Sequence, residues 1–147
     1  MKRWGARLHA AIFRLTRGRV LGRVGGQPVL LLQTTGRRTG QPRTTPVQYL
    51  ADGERLVVVA SNAGAARPPA WYFNLCARPD ARIDVGGHSI EVRAQEAAGQ
   101  ERAELWRRLT AANRYLERAA RKARRDLPLM ALVPSTPNTP PPGTDRS

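Results

Sequence analysis

Apolar and polar residues alternate over several short stretches in the middle of the chain, and a period of two is typical of β-strands. Alternation predicts strands over residues 82–85 and 88–92, short runs rich in β-forming residues predict strands over 29–34, 44–50 and 56–61, and residues 129–133 give a last strand. Two turn signals, Ala-Asp-Gly-Glu at 51–54 and Gly86-Gly87, predict hairpins between neighbouring strands. Six short strands with few helices predict a mainly β fold with flanking α-helices, arranged as a small barrel.

Helical periodicity flanks and interrupts these strands. Residues 1–23 combine an apolar stripe that includes Trp4 with seven basic residues and no acidic one, which predicts a basic amphipathic helix. A short helix is predicted over 69–76, and residues 101–125 predict one long helix or two helices with a bend near Asn113. The apolar stripe of 101–125 consists of Leu105, Leu109, Ala112, Leu116, Ala119 and Ala123. The opposite stripe, expected to face solvent, consists of Arg107, Arg114, Arg118, Arg121 and Arg125.

The length of 147 residues fits one principal domain. We expect the basic helix over 1–23, a barrel domain over 24–135, and a disordered tail over 136–147, which is rich in proline and has no large apolar residue. Apolar runs fall far short of the roughly 20 residues that span a bilayer, and a signal-peptide pattern is absent. We therefore expect a cytoplasmic protein.

The net charge of +14 predicts an anionic partner. A nucleic-acid binder is one alternative, but aromatic residues make up only 5% of the chain and no stacking motif accompanies the charge. One cysteine and two histidines exclude an intrachain disulfide and a structural Cys/His zinc site. Cys76 follows apolar Leu75 and is expected to be buried, whereas His88 beside the Gly-Gly turn is expected to be exposed.

The segment from Thr34 to Arg43 stands out chemically. Its sequence TTGRRTGQPR places two glycines and three arginines between two predicted strands, where guanidinium groups and backbone N–H groups can bind phosphate or carboxylate. On composition alone, a solvated basic turn is the better explanation, because basic loops are common and this segment matches no generic phosphate-loop pattern.

Longer stretches of the sequence favour anion binding by this segment over a solvated turn. The strings LLLQTTGRRTGQPRTTPVQYLADGERLVVVASN, PPAWYFNLCARPDARIDV and LPLMALVP, in this order, resemble the deazaflavin-dependent nitroreductase and quinone reductase family of actinobacteria. The resemblance covers roughly residues 28–135. It implies a split β-barrel related to flavin reductases and use of coenzyme F420, a deazaflavin with a phosphate and an oligoglutamate tail. It also implies hydride transfer from reduced F420 to a quinone or nitroaromatic acceptor.

The same resemblance implies a set of site residues. The phosphate and carboxylates of the coenzyme would be held by Arg37, Arg38, Thr39 and Arg43. Contacts to the deazaflavin ring would come from Thr45, Pro46, Val59, Ala60 and Ser61. An inserted segment that closes the coenzyme groove would contribute Ala70, Trp71, Tyr72 and Asn74. A proton donor to the reduced acceptor, if not solvent, would be the hydroxyl of Ser61 or Tyr115.

This chain departs from the family pattern in two places, one near the coenzyme and one in the acceptor pocket. Asn62 stands where nitroimidazole-activating members carry a lysine directed at the coenzyme, and it is open whether Arg67 compensates for that charge. Acceptor-pocket tyrosines of those members are replaced here by Asn113, Leu116 and Ala119. The resemblance therefore implies a pocket that is more apolar or differently shaped.

Two further alternatives stay open at this point. A protein of the same fold can carry deazaflavin, flavin or an apolar ligand without turnover. The helix over 1–23 can pack on the barrel, or it can bind an anionic membrane surface, which would place the protein on the inner face of the cell membrane.

Overall fold

The structure, a computed structural model, describes residues 23–24 and 27–135, and these ranges contain seven strands, three α-helices and a short 3-10 turn at Asn62–Gly64. The strands are β1 (Arg23–Val24), β2 (Gln27–Thr35), β3 (Pro42–Asp52), β4 (Arg55–Val59), β5 (Asp80–Val85), β6 (His88–Glu96) and β7 (Leu129–Pro134). The helices are α1 (Ala70–Ala77), α2 (Gly99–Ala112) and α3 (Tyr115–Ala123). The tail predicted for 136–147 lies outside the described residues, as does the helix predicted for 1–23 except for Arg23, which belongs to β1.

Strands β2 to β7 form a closed antiparallel barrel. Their order is β2-β3-β4-β7-β6-β5, and β5 pairs with β2 to close the ring. Register is set by the two predicted hairpins, in which Asp52 pairs with Arg55 and Val85 with His88. The short strand β1 adds to β2 outside the ring. The prediction of a mainly β barrel with flanking helices is thus confirmed.

The barrel has one core inside the ring and a second between the ring and the helices. Leu30, Leu32 and Val58 point into the ring and are almost completely buried. Val57 and Ala131 point outward instead, where α2 and α3 cover them. Strands β4 and β7 are buried on both faces, which explains why their sequences are continuous apolar runs rather than alternating ones.

Helices α2 and α3 pack on the outside of β4 and β7, and the chain bends between them at Asn113, which decides between the two alternatives that the sequence left open. Asn113 has an extended backbone, and its side-chain oxygen accepts a hydrogen bond from the Tyr115 N–H at 3.1 Å, a capping contact that begins α3. The predicted apolar stripe is correct except for Ala112, which is exposed because it lies at the end of α2, at the bend. The chain leaves α3 at Arg124, whose φ of 58° is left-handed.

Asp52 ties the β3–β4 hairpin to α2. Its carboxylate accepts hydrogen bonds from Arg55 at 2.8 Å and from Arg108 at 2.6 Å. Partial burial raises the pKa of this carboxyl, but the hydrogen bonds from Arg108 and Arg55 outweigh burial, so the pKa of Asp52 lies below its ordinary value. This network fixes how α2 lies across the barrel.

Two single-residue predictions have opposite outcomes. His88 is exposed in its hairpin, as expected. The prediction of a buried Cys76 is wrong, because α1 buries the face formed by Trp71, Asn74 and Leu75 and leaves Cys76 on its outer side. Within the described ranges, none of the helices is long and apolar enough to cross a membrane.

Candidate active site

A cavity of about 460 Å³ lies between β3, the end of β4, and helices α2 and α3. This volume falls in the range of small-molecule sites. Its walls consist of Val29, Thr45, Pro46, Val47, Gln48, Tyr49, Leu50, Val59, Ser61, Asn62, Ala63, Pro69, Trp71, Leu109, Ala112, Asn113 and Leu116.

The cavity is mainly apolar, with a few polar groups at its edges. Asn113 and Gln48 face each other from the helix bend and from β3, and the Asn113 amide donates to Gln48 Oε1 at 3.3 Å. The other polar side chains of the walls belong to Thr45, Tyr49, Ser61 and Asn62. An apolar cavity with few polar groups suits a flat aromatic ring that needs orientation by a small number of hydrogen bonds.

The turn over residues 61–64 forms one wall of the cavity in an unusual conformation. Asn62, Ala63 and Gly64 have φ values of 49°, 55° and 81°, so three consecutive residues are left-handed. For an alanine this conformation costs roughly 1–2 kcal/mol. Within the turn, Gly64 N–H donates to the Ser61 carbonyl and Ala65 N–H donates to the Asn62 carbonyl, each at 2.9 Å. Such strain in a cavity wall marks a candidate functional segment.

The arginine loop, residues 36–43, has a defined backbone. Gly36 N–H donates to the Gln41 carbonyl, and Gly40 N–H donates to the Gly36 carbonyl, both at 2.8 Å. Gly40 has a φ of 74°, which favours glycine at this position. Gln41 N–H also donates to Thr39 Oγ1 at 3.1 Å. The predicted site segment is therefore a structured turn.

Asn74 of α1 anchors this loop from beneath. Its side-chain oxygen accepts from the Arg37 N–H at 3.0 Å, and its amide donates to Thr34 Oγ1 at 3.0 Å. Asn74 and Thr34 are only 5% and 2% exposed. Buried polar side chains are found where their hydrogen bonds are complete, so this pair fixes the loop on the barrel.

Four guanidinium groups cluster around this loop. Arg37 and Arg67 lie on the ring of Phe73, with their guanidinium carbons 4.8 and 5.5 Å from its centroid. Among the residues that the structure describes, the ion pairs involve other arginines, and neither these two nor Arg38 and Arg43 contact a carboxylate. The loop thus presents uncompensated positive charge.

The arginine loop adjoins the cavity through β3. Arg43 and Thr45 are two residues apart on this strand, a rise of roughly 7 Å. Arg67 adjoins the cavity from the other side, because it precedes Pro69 and its carbonyl accepts from the Asn62 amide at 2.9 Å. The combined site suits an elongated molecule with a flat ring at one end and several anionic groups at the other.

The structure brings together many of the residues that the sequence predicted. Those that line the cavity are Thr45, Pro46, Val59, Ser61, Asn62, Trp71, Asn113 and Leu116. Those in the arginine loop are Arg37, Arg38, Thr39 and Arg43, and all four are exposed. Asn62 contacts the backbone carbonyl of Arg67, whose guanidinium lies on the ring of Phe73.

Other predicted residues lie outside the cavity lining. Ala60 is fully buried and Ala70 is exposed at the start of α1. Ala119 is 2% exposed because it packs in the small apolar cluster beneath α3. Tyr115 is 41% exposed, and the guanidinium of Arg118 lies 6.0 Å from its ring centroid. Tyr115 is therefore directed at the surface beside the helix bend.

Tyr72 also points away from the cavity. Its hydroxyl donates to Glu96 at the end of β6, at 2.9 Å. Burial, the hydrogen bond to Glu96 and the neighbouring Cys76 together raise the pKa of the Tyr72 hydroxyl. Tyr72 therefore stays protonated and fastens α1 to the barrel.

Sequence reasoning missed several site residues. Gln48, Leu109 and Ala112 line the cavity, and their positions next to Pro46 and Asn113 in sequence were the available signal. The prediction that Arg125 faces solvent is wrong. Its guanidinium is half-buried and donates to backbone carbonyls of the 60–65 segment, because the left-handed Arg124 redirects the chain toward that segment.

Comparison with known proteins decides the family. Residues 4–134 match the family described as F420H(2)-dependent quinone reductase. The chain belongs to this family. A family relative, the F420H(2)-dependent quinone reductase Rv1261c of Mycobacterium tuberculosis, is 43% identical over 132 residues, which cover 86% of this chain and 88% of the relative.

Solved structures support the same assignment. An F420-H2 dependent reductase, FDR-A, matches with a TM-score of 0.66 and 28% identity, over 71% of this chain and 93% of the other. A FAD-binding protein from Mesorhizobium loti, 15% identical, matches with a TM-score of 0.56 over 86% of this chain and 87% of its own. This second match concerns the fold alone. The predicted split β-barrel of flavin-reductase type is confirmed.

Membership in the family makes this chain an oxidoreductase with coenzyme F420 as its cofactor. The residues present fit that coenzyme. The cavity is apolar and of suitable size for the ring, and the uncompensated guanidinium groups of Arg37, Arg38, Arg43 and Arg67 suit a phosphate and a glutamate tail.

Proposed function

We propose that this chain transfers a hydride from reduced F420 to a quinone, and that both molecules bind in the cavity between β3 and helices α2 and α3. The observation that carries this proposal is the apolar cavity with an arginine loop at one end of its β3 wall. A charged polar tail and a flat ring are the two parts of one coenzyme, and the site offers one region to each.

The arginine loop would hold the phosphate and carboxylates of the coenzyme. Guanidinium groups bind such anions in pairs of parallel hydrogen bonds, and the anchored backbone of the loop keeps the loss of conformational entropy small. Arg37, Arg38 and Arg43 would make these contacts, with Thr39 as a hydroxyl donor. Arg67, whose guanidinium also lies on the ring of Phe73, would add a fourth cation.

The ring would lie against the wall formed by β3 and the 59–61 segment. Thr45 and Pro46 contribute from β3, Val59 and Ser61 contribute side chains, and buried Ala60 can contribute only backbone. Trp71 borders the same cavity from α1 and is 7% exposed, so it acts as a packed wall rather than a mobile cover. Asn74 would not contact the coenzyme and would instead hold the arginine loop in place through its hydrogen bond with the Arg37 N–H.

The contribution of the protein to the reaction is mainly geometric. Reduced F420, when bound, supplies the hydride. The chain orients the ring and the acceptor against each other and excludes water from an apolar cavity, which favours direct transfer. The proton that the reduced acceptor needs would come from solvent or from the Ser61 hydroxyl at the cavity wall, and exposed Tyr115 is a weaker candidate.

The acceptor side of the cavity favours an apolar quinone. Leu109 and Leu116 form an apolar wall, and the paired amides of Asn113 and Gln48 provide hydrogen-bonding groups for a quinone oxygen. Nitroaromatic compounds fit the same chemistry. Bicyclic nitroimidazoles should be poorer substrates than quinones, because no tyrosine occupies positions 113, 116 or 119.

A membrane surface would concentrate such a quinone. The basic amphipathic helix that the sequence predicts for 1–23 would bind anionic lipid on the inner face of the cell membrane and deliver the acceptor from the bilayer. This part of the proposal rests on the sequence pattern, since the segment lies outside the described residues except for its last residue.

Two measurements test the proposal. Quenching of deazaflavin fluorescence should report tight binding of F420 and weaker binding of FMN, which presents fewer anionic groups to the arginine loop. Addition of a quinone to the complex with reduced F420 should then oxidise the coenzyme over repeated turnovers. Binding without oxidation by any quinone would instead support a carrier, and equal affinity for FMN would contradict the assigned role of the loop.

A further inference from the structure

Arg125 contacts three carbonyl groups of one short segment. Its Nε donates to the Ala65 carbonyl at 3.1 Å, and Nη2 donates to the Ser61 carbonyl at 3.3 Å. Both terminal nitrogens lie 3.5 Å from the Ala60 carbonyl. One guanidinium group thus spans the beginning and the end of the left-handed turn that forms a wall of the cavity.

Helix α3 also contacts the middle of this turn. Lys122 Nζ lies 3.5 Å from the Ala63 carbonyl. A Cβ atom added to Gly64 would lie 2.9 Å from Lys122 Cδ and 3.3 Å from the Ala119 carbonyl, so a side chain here would displace the helix contact. The turn and the C-terminal half of α3 are therefore packed closely against each other.

The turn needs such support because its own contacts are few. Two backbone hydrogen bonds close it internally, and Asn62 and Ala63, both left-handed, are exposed. A strained backbone persists only where surrounding contacts determine it. Arg125 is half-buried, and its guanidinium contacts both the beginning and the end of the turn, so it is an external contact that can fix the turn's path.

We propose that Arg125 is a positioning residue for the F420 site: it holds the 60–65 segment so that Ser61, Asn62 and Ala63 form the cavity wall. Its link to catalysis rests on the proposed function, since the wall matters only if the coenzyme ring lies against it. Arg125 itself is absent from the lining of the cavity. It acts through the backbone that it binds.

An arginine suits this task better than a lysine. The planar guanidinium presents donors in fixed directions, and three carbonyls at different positions can accept from it simultaneously. A lysine at this position would place one compact ammonium group at the end of its side chain, and that group cannot contact the carbonyls of residues 60 and 65 in the same way. The role therefore depends on the shape of the group as well as on its charge.

The test compares Arg125→Ala and Arg125→Lys with Arg121→Ala, which removes an exposed arginine from the same helix. Hydrogen exchange of the Gly64 and Ala65 amides, both bonded inside the turn, reports the turn without any ligand. Fluorescence titration with oxidised F420 reports the site. We expect exchange at both amides to accelerate and F420 affinity to fall about tenfold in Arg125→Ala, because the strained turn that forms the cavity wall is no longer held in place.

Chemical rescue separates this role from a general loss of stability. Methylguanidinium at millimolar concentration should restore part of the F420 affinity of Arg125→Ala, whereas methylammonium should not, and Arg125→Lys should remain impaired. Unchanged exchange at Gly64 and Ala65, or wild-type F420 affinity despite faster exchange, would overturn the proposal. If Arg125→Ala does not fold, hydrogen exchange and F420 affinity of Arg125→Lys are compared with those of Arg121→Ala instead. Failure of the wild-type chain to bind F420 would instead refute the proposed function.

Discussion

The side-chain oxygen of Asn74 accepts a hydrogen bond from the backbone N–H of Arg37 at 3.0 Å. This bond connects a buried residue of α1 to the first arginine of an exposed loop, across 37 positions of sequence. The same amide group donates to buried Thr34, so both ends of the Asn74 side chain are used. An exposed loop is thereby oriented by a core contact.

Replacement of Asn74 by Ala should disturb the loop and weaken coenzyme binding. It leaves the Arg37 N–H and the Thr34 hydroxyl without their partner, so we expect a loss of stability of about 1–3 kcal/mol. Denaturant unfolding measures the first effect and fluorescence titration with F420 the second. Thr34→Val is the matched control, because it removes one bond of Asn74 and keeps the other. Equal F420 affinity in the two variants would contradict the anchoring role of the Arg37 bond.

Replacement of both Arg38 and Arg43 by Ala should weaken F420 binding at least about 100-fold, since hydrogen bonds between charged groups contribute about 1.5–3 kcal/mol each. The remaining affinity should depend less on salt, because two cations that contact the anionic tail are gone. A double replacement of Arg107 and Arg121, both exposed on helices α2 and α3, removes the same net charge away from the loop. If this control weakens binding as much, general electrostatic attraction rather than the loop binds the coenzyme.

A large side chain at Ala112 should block the acceptor. Ala112 is exposed and borders the cavity, whereas neighbouring Ala111 is exposed and does not border it. We expect Ala112→Trp to raise the quinone KM about tenfold or more by filling the site, with F420 affinity little changed, and Ala111→Trp to leave both unchanged. Steady-state kinetics with one apolar quinone measures the difference. A normal quinone KM in Ala112→Trp would place the acceptor elsewhere.

The Asp52 network should make stability depend on pH in the acidic range. Because the folded pKa of Asp52 is lowered, its contribution is present above the unfolded pKa of about 3.9 and is lost as pH falls through the folded value. Asp52→Asn should cost about 1 kcal/mol at neutral pH, and the difference from wild type should shrink below about pH 4. Asp84→Asn, at an exposed position of β5, is the control. A constant difference between Asp52→Asn and wild type down to pH 3 would show that charge is not the cause.

The strands and the bend at Asn113 were predictable because local patterns determine them. Alternating residues mark β5 and β6, the two hairpin turns set register, and an asparagine within a helical pattern marks the bend. The arginine loop was also visible, since its glycines and arginines occur in one continuous segment.

Contacts between distant segments explain what the sequence did not predict. Cys76 was expected to be buried because Leu75 is apolar, but the orientation of α1 on the barrel decides which side faces solvent. Arg125 was assigned to a solvated stripe because its spacing fits that stripe, yet the left-handed residue before it directs it to carbonyls 60 positions away. Helical periodicity carries no information about such a partner.

The helix predicted for residues 1–23 yields a prediction about lipid. Seven basic residues with an apolar stripe that contains Trp4 should bind anionic vesicles at about 1 kcal/mol per engaged basic residue, and added salt should weaken the binding. Cosedimentation with anionic and with neutral vesicles measures this for the full chain and for a chain without residues 1–23. A full-length variant with Arg3, Arg7 and Arg14 replaced by Gln keeps the apolar stripe and serves as the charge control. If the shortened chain sediments as the full chain does, or if lipid charge has no effect, the segment has a role within the fold and does not deliver the acceptor from the membrane.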